Sequence, residues 1–315
     1  MTGAVVNARC AGRSVMLLGL LQLMVACGGG GDSAPAPTAP SAPPAAAAPP
    51  AAPPVAAPPV APPVVTGPAP AGYRLVWADE FDVPGLPDAT RWGYDTERNR
   101  PGWWNNERQY YAAARALNSV VESGRLRITA RLESTAGFAD GGGQRYTSAR
   151  MITRGKAQWT YGFFEIRARM PCGTGTWPAI WMLGTGGVWP DDGEIDILEH
   201  VGRNPTEILG TVHTPITGGS GNGSRTQLPT ACTAFNDYQL HWTANEIVIG
   251  VNGNVYHRYR NPRTGRAAWP FDAPQYLLLN IAIGGNLGGA VDDSIFPRTM
   301  EIEHVRVWQA GAGGG

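Results

Sequence analysis

Short runs of alternating apolar and polar residues fill most of the chain after Gly72, separated by glycine, proline, asparagine and aspartate. Residues 126–132 and 164–170 alternate strictly, as expected of strands with one buried face. Asn252-Gly253 is the dipeptide most typical of a tight hairpin. No segment longer than two helical turns shows a capped 3.6-residue stripe. The pattern predicts an all-β antiparallel sandwich or barrel over residues 72–310.

The first 27 residues have the features of an export signal. Arg9 and Arg13 precede a mostly apolar run, residues 15–26, that ends at Cys27. A run of roughly 12 residues is too short to span a bilayer, which needs about 20, and the order of features is that of a secretory signal peptide. Residues 23–27 resemble a bacterial lipobox, although Met24 departs from the usual Leu. We therefore expect an exported protein, attached to the cell envelope through lipidated Cys27 or secreted; an ordinary signal peptide with an incidental cysteine remains open.

Alanine and proline dominate residues 28–71. Proline removes amide donors and fixes φ, so this stretch has no means of forming a sheet or a core. It is expected to be a linker that acts as a spacer or as a disordered tail. Residues 311–315 form a glycine-rich tail.

The overall charge argues against a nucleic-acid partner. Lys+Arg and Asp+Glu are both 25, so the net charge is zero and no basic excess is present. Neither a P-loop nor a dinucleotide fingerprint occurs. The 11 tryptophans suit either core packing or stacking on the flat faces of sugars.

Cys172 and Cys232 are the two cysteines of the predicted domain. In an exported, oxidising setting they are predicted to form a disulfide, with two unrelated buried thiols as the alternative. No group of His and Cys residues has the spacing of a zinc site.

Within the stretch from Trp189 to His200, three carboxylates fall in six consecutive residues, namely Glu194, Asp196 and Glu199. In a strand, Glu194 and Asp196 share one face, whereas strict alternation places Glu199 on the other. One extra residue, a β-bulge, would return Glu199 to the acidic face. Such crowding raises some carboxyl pKa values, as glycoside hydrolysis requires. A solvated acidic face or a cation site is the alternative.

The chain resembles glycoside hydrolase family 16, and specifically its laminarinase-like members, from about Tyr73 to Trp308. The resemblance rests on motifs in the family's order: Asn105-Asn-Glu-Arg-Gln-Tyr-Tyr111, Trp177-Pro-Ala-Ile-Trp-Met-Leu183, Gly193-Glu-Ile-Asp-Ile-Leu-Glu199, Gly210-Thr-Val-His-Thr214 and Ala282-Ile-Gly-Gly-Asn-Leu-Gly288. It implies a β-jelly-roll with a concave cleft and retaining hydrolysis of internal β-linkages. By the same resemblance Glu194 is the nucleophile, Glu199 the acid/base, and Asp196 hydrogen-bonds the nucleophile. The extra residue in the catalytic strand is typical of β-1,3-glucanases.

The resemblance also suggests residues that contact substrate. Trp177, Trp181 and Trp189 are candidates for stacking on sugars, with core packing as the alternative. His213, Asn105 and Arg150 are further candidates for contact with substrate. The alternative for His213 is a purely structural role, and the alternative for Arg150 is a surface ion pair. Trp103 and Trp104 either extend the cleft or cap the sandwich edge.

The expected enzyme is a monomeric endo-β-1,3- or mixed-linkage glucanase that acts on a polysaccharide and needs no cofactor for catalysis. Many relatives bind a structural Ca²⁺, but Glu303 stands where they usually offer Asp, which puts this ion in doubt. Two other functions remain open: a β-glucan-binding protein without activity, and a family hydrolase for another polysaccharide such as agarose.

Overall fold

The computed structural model describes residues 69–311. The predicted signal peptide, the predicted lipidation site Cys27, nearly all of the linker and the last four residues lie outside this range. Within it, no helix is both long and apolar enough to cross a bilayer.

The described residues form seventeen strands, joined by turns and a few short helices. In chain order the strands are β1 Tyr73–Asp79, β2 Gly93–Tyr94, β3 Gln109–Tyr111, β4 Ser119–Glu122, β5 Arg125–Leu132, β6 Tyr146–Ser148, β7 Arg150–Ile152, β8 Gly162–Arg169, β9 Thr176–Gly184, β10 Glu194–His200, β11 Glu207–His213, β12 Asn222–Gln227, β13 Asn236–Trp242, β14 Glu246–Val251, β15 Asn254–Arg260, β16 Gln275–Ile283 and β17 Arg298–Ala310. The helical turns are α1 Gly285–Gly288 and three 3₁₀ turns, Trp104–Asn106, Gly218–Ser220 and Asp293–Ile295.

The strands build two sheets. The larger runs β15-β14-β13-β8-β17-β5-β6-β3, with β1 beside β17 and β4 beside β5, and the smaller runs β12-β11-β10-β9-β16-β7-β2. Adjacent strands are antiparallel except β3 and β6. The predicted all-β antiparallel sandwich is therefore confirmed. The predicted hairpin is also present: Asn252 and Gly253 join β14 to β15 with φ of 51° and 77°, values that favour these two residue types.

One apolar core holds the two sheets together. It includes Phe164 and Ile166 of β8 and Ile195 and Ile197 of β10, all without exposed surface. Burying an aliphatic side chain of this size stabilises the fold by about 1.5–3 kcal/mol. A second, smaller apolar cluster of Ile152, Tyr276 and Leu278 lies on the alternate residues of β7 and β16, so the other face of the smaller sheet carries apolar as well as polar groups.

Candidate active site

The catalytic strand predicted from sequence is β10, and it contains the predicted bulge. Asp196 pairs with Trp181 of β9, while Leu198, two residues on, pairs with Ile180, only one residue away. The extra residue lies at Ile197, between these pairs. It restores Glu199 to the face that carries Asp196, as the sequence argument required.

The same bulge explains how the six consecutive apolar and acidic residues from Glu194 to Glu199 reach both the core and the cleft. Ile195, Ile197 and Leu198 have no exposed surface and belong to the core. Glu194 and Glu199 remain partly exposed. The strand thus buries its aliphatic groups and presents its carboxylates to a cleft.

This cleft lies on the outer face of the smaller sheet and brings together most of the predicted site. Its lining comprises Asn105, Glu107, Arg150, Trp177, Ala179, Trp181, Glu194, Asp196, Glu199, Asn280 and Ala282. Trp189 and His213 lie directly beside it, in contact with its carboxylates.

Each of the two glutamates accepts a hydrogen bond from its own tryptophan. The indole N–H of Trp177 donates to Oε1 of Glu199 over 3.1 Å, and that of Trp189 donates to Oε2 of Glu194 over 2.5 Å. Trp189 is 51% exposed, so one ring both orients a carboxylate and offers a free face. These contacts hold the two carboxyl groups in fixed orientations.

Trp181 is held by a different partner. Its indole N–H donates to Oδ1 of Asn280 over 2.7 Å, not to a glutamate. The guanidinium of Arg150 lies 4.7 Å from the centre of its ring. Trp181 therefore forms part of the cleft wall.

Asp196 and His213 form a close pair on neighbouring strands. Nε2 of His213 lies 3.2 Å from Oδ2 of Asp196, and its Nδ1 is 2.9 Å from the carbonyl oxygen of Gly218. This carbonyl acts as an acceptor, so it places a proton on Nδ1. One polar atom from each of Glu194, Asp196 and His213 lies within 4.8 Å of the other two.

The pKa values in this cluster are strongly perturbed. Burial, followed by the charge of Glu194, raises the pKa of Glu199 to about 7. Burial and the charges of both glutamates hold the pKa of Asp196 well above its usual range. Burial lowers the pKa of the His213 imidazole, but the neighbouring carboxylate of Asp196 raises it by more, and the resulting pKa is about 10. At neutral pH, Glu199 is therefore poised to give up or take up a proton.

Arg150 is buried, not on the surface. It is 7% exposed, its Nε lies 3.1 Å from Oδ2 of Asp95, and its guanidinium also faces the ring of Trp103 at 5.1 Å. The alternative of a surface ion pair is therefore wrong, because the loop that carries Asp95 and Trp103 covers this side chain.

The two neighbouring tryptophans of the same loop differ. Trp103 is buried and donates its indole N–H to Oδ1 of Asn99 over 3.1 Å, whereas Trp104 is 60% exposed beside Arg98. Trp103 therefore packs against Arg150 and Tyr111 and is not among the residues that line the cleft. Asn105, which follows, has a positive φ of 57° and lines the pocket.

Sequence reasoning missed two residues of the cleft, Glu107 and Asn280. Gln109 donates to Oε2 of Glu107 over 2.8 Å, and burial raises the pKa of Glu107. Asn280 donates to the hydroxyl oxygen of Tyr111 over 3.0 Å. Asn280 could have been recognised from the sequence as the polar residue in the middle of the otherwise apolar strand β16.

Glu303, which stands where the resemblance predicts a calcium ligand, is committed to ion pairs. The carboxylate of Glu303 lies 2.7 Å from Nε of Arg167 and 3.4 Å from an amino group of Arg125. Two positively charged guanidinium groups beside this carboxylate disfavour the binding of a cation there.

The predicted disulfide is present, with 5.7 Å between the Cα atoms of Cys172 and Cys232.

Comparison with known proteins decides the family. Residues 106–301 match the family model of glycosyl hydrolases family 16. The chain belongs to this family.

Its relatives in family 16 include a beta-glucanase from Rhodothermus marinus, 47% identical over 252 residues that cover 75% of this chain and 85% of that protein. Among solved structures, SCLam, a non-specific endo-beta-1,3(4)-glucanase, is 50% identical with a TM-score of 0.75, covering 77% of this chain and 93% of that one. A variant of SCLam, 50% identical with a TM-score of 0.74 and covering 76% and 96%, presents a 1,3-beta-D-cellobiosyl-glucose at its active site.

Proposed function

We propose that this family 16 protein is a retaining endo-β-glucanase that hydrolyses internal linkages of β-1,3- or mixed-linkage β-1,3-1,4-glucans. The observation that carries the proposal is the bulged strand β10, which presents Glu194 and Glu199 to one open cleft. The perturbed pKa of Glu199, raised to about 7, supports its role as the acid.

In the proposed mechanism, Glu194 reacts as the carboxylate. It attacks the anomeric carbon while Glu199 gives its proton to the departing glycosidic oxygen, so the sugar–oxygen bond breaks as an ester bond to Glu194 forms. Glu199, now ionised, removes a proton from water, and the resulting hydroxide displaces Glu194. Two inversions give net retention, and the two steps use no cofactor.

Asp196 and His213 are proposed to tune this pair. The imidazolium of His213 balances negative charge at Asp196, from 3.2 Å away. A positive group beside the cluster limits how far three neighbouring carboxylates raise one another's pKa values. We propose that His213 thereby offsets the repulsion between Asp196 and the two glutamates.

The proposed substrate follows from the cleft and from the relatives. Trp177, Trp181 and the half-exposed Trp189 offer aromatic surfaces for the apolar faces of glucose rings, while Asn105 and Arg150 offer donors for hydroxyl groups. SCLam is a 1,3(4)-glucanase, and its variant holds a β-glucan fragment at the active site. A neutral glucan matches these properties.

The test compares the wild type with Glu194→Gln on laminarin, lichenan, agarose and xyloglucan, with released reducing ends as the readout. The proposal expects hydrolysis of laminarin or lichenan by the wild type and none by the variant. Proton NMR of the first product should show the β-anomer. Equal activity of the two proteins would refute the assignment of Glu194, and binding of laminarin without cleavage by the wild type would instead support a binding protein.

We also propose export with a lipid anchor at Cys27. The support is the basic, apolar and lipobox-like order of residues 9–27. In a bacterial expression host, labelled palmitate should enter the wild type but not Cys27→Ala. Equal labelling, or none in either protein, would contradict the anchor.

A further inference from the structure

A second cluster of metal-binding side chains lies at the far end of the catalytic strand. Cys172 follows β8, His200 ends β10, and Cys232 precedes β13. The ligand atoms of these three residues lie within 4.8 Å of one another. Because they come from three distant segments, no spacing motif in the sequence indicates them.

The distances match the edges of a tetrahedral zinc site. With Zn–S of about 2.3 Å and Zn–N of about 2.0–2.1 Å, the expected S···N separation is about 3.6 Å. Sγ of Cys232 lies 3.8 Å from Nε2 of His200. To bind zinc, the two sulfurs, which are bonded to each other in the disulfide, must also move apart to about 3.8 Å, the tetrahedral S···S edge.

A fourth ligand position is also occupied by a suitable atom. The carbonyl oxygen of Pro205 lies 3.4 Å from Sγ of Cys232 and 3.4 Å from Nε2 of His200. For an oxygen at about 2.0–2.2 Å from zinc, tetrahedral edges to nitrogen and sulfur are about 3.4–3.6 Å. The Pro205 oxygen therefore completes the set.

The imidazole of His200 lacks good hydrogen-bond partners among the described residues. The ring is fully buried, its Nε2 makes only the long contacts just described, and its Nδ1 has no hydrogen-bond partner within residues 69–311. A buried polar ring without good partners calls for an explanation. Coordination of a metal by Nε2 would supply one.

The cysteines are open to solvent and to reagents. Both line a surface groove together with Arg169 and Arg298. Nearby arginines favour the thiolate form of cysteine, which is the form that binds metal. Two thiolates and one Zn²⁺ make a neutral site, so these arginines do not oppose it.

We propose that the chain with a reduced Cys172–Cys232 pair binds one Zn²⁺ through both thiolates and Nε2 of His200, with the Pro205 carbonyl as fourth ligand. A dithiol reduces the disulfide with two electrons and is itself oxidised to a disulfide. The two thiols formed then lose their protons to the solvent as Zn²⁺ binds. The disulfide joins two of these segments and the metal would join all three, and the two states exclude each other because both use the same sulfur atoms.

The test uses Co²⁺ as a spectroscopic probe on the full chain with Cys10→Ser and Cys27→Ser, which removes the other thiols. After reduction, one Co²⁺ per chain should bind, with the near-ultraviolet charge-transfer absorption of cobalt thiolates, and Zn²⁺ should displace it. The oxidised form of the same protein is the matched control, because it retains the group of Glu194, Asp196 and His213. It should show no such absorption.

Two variants separate this site from non-specific thiol binding. Cys172→Ser should abolish most of the thiolate absorption, and His200→Asn should weaken Co²⁺ binding by at least about tenfold. Near-ultraviolet circular dichroism reports whether each protein is folded. A folded, reduced chain that binds no Co²⁺, or that binds it equally well with His200→Asn, would overturn the proposal. If reduction alone unfolds the chain, Zn²⁺ added beforehand must preserve the fold, and failure to do so would overturn it equally.

Discussion

Replacing Trp177 with phenylalanine should reveal the protonation of the proposed acid. The indole N–H of Trp177 donates to Glu199 over 3.1 Å. Burial and the charge of Glu194 raise the pKa of Glu199 to about 7, while the bond from Trp177 favours the carboxylate and lowers it. A hydrogen bond to a charged group contributes about 1.5–3 kcal/mol, and about 1.4 kcal/mol corresponds to one pKa unit. Because Glu199 is partly exposed, the lower figure applies, and Trp177→Phe should raise its pKa by about one unit.

The assay is the pH dependence of kcat/KM on laminarin, which reports ionisations of the free enzyme. On the alkaline side, the activity of the wild type should fall as the pH rises through about 7, because an ionised Glu199 has no proton to donate. In Trp177→Phe this alkaline limb should move upward by about one pH unit. Trp181→Phe is the matched control, since its indole bonds to Asn280 and not to a glutamate. Coincident alkaline limbs in the two variants would refute the reasoning.

Three further predictions concern the acid, its neighbour and the disulfide. Glu199→Gln should lower kcat on laminarin by about 10²–10⁴-fold, as loss of a general acid does; steady-state rates within tenfold of the wild type would contradict this. His213→Gln should shift the alkaline limb of kcat/KM upward, because an imidazolium with a pKa of about 10 favours the ionised form of Glu199; a downward shift would argue against it. Cys172→Ser combined with Cys232→Ser should lower the free energy of unfolding by about 2–4 kcal/mol, since the bridge joins residues 60 apart. Urea denaturation without added metal measures this, and equal midpoints would contradict it.

The sequence by itself determined the features that depend on local order. The period of two, the turn residues and Asn252-Gly253 predicted antiparallel strands, because side-chain alternation follows directly from backbone geometry. The bulge in β10 was also predictable, since Glu194, Asp196 and Glu199 share a face only if one extra residue separates the last two. With two cysteines in the domain, one pairing was available.

Only the tertiary structure decided which distant residues complete each site. Arg150 lies buried against Asp95 because a loop folds over β7, and Asn280 reaches Trp181 because β16 pairs with β9. His200 likewise meets Cys232 only where β10 ends beside the turn before β13. The physical reason is that register between strands and the path of loops depend on packing over the whole core, which no single stretch of sequence encodes.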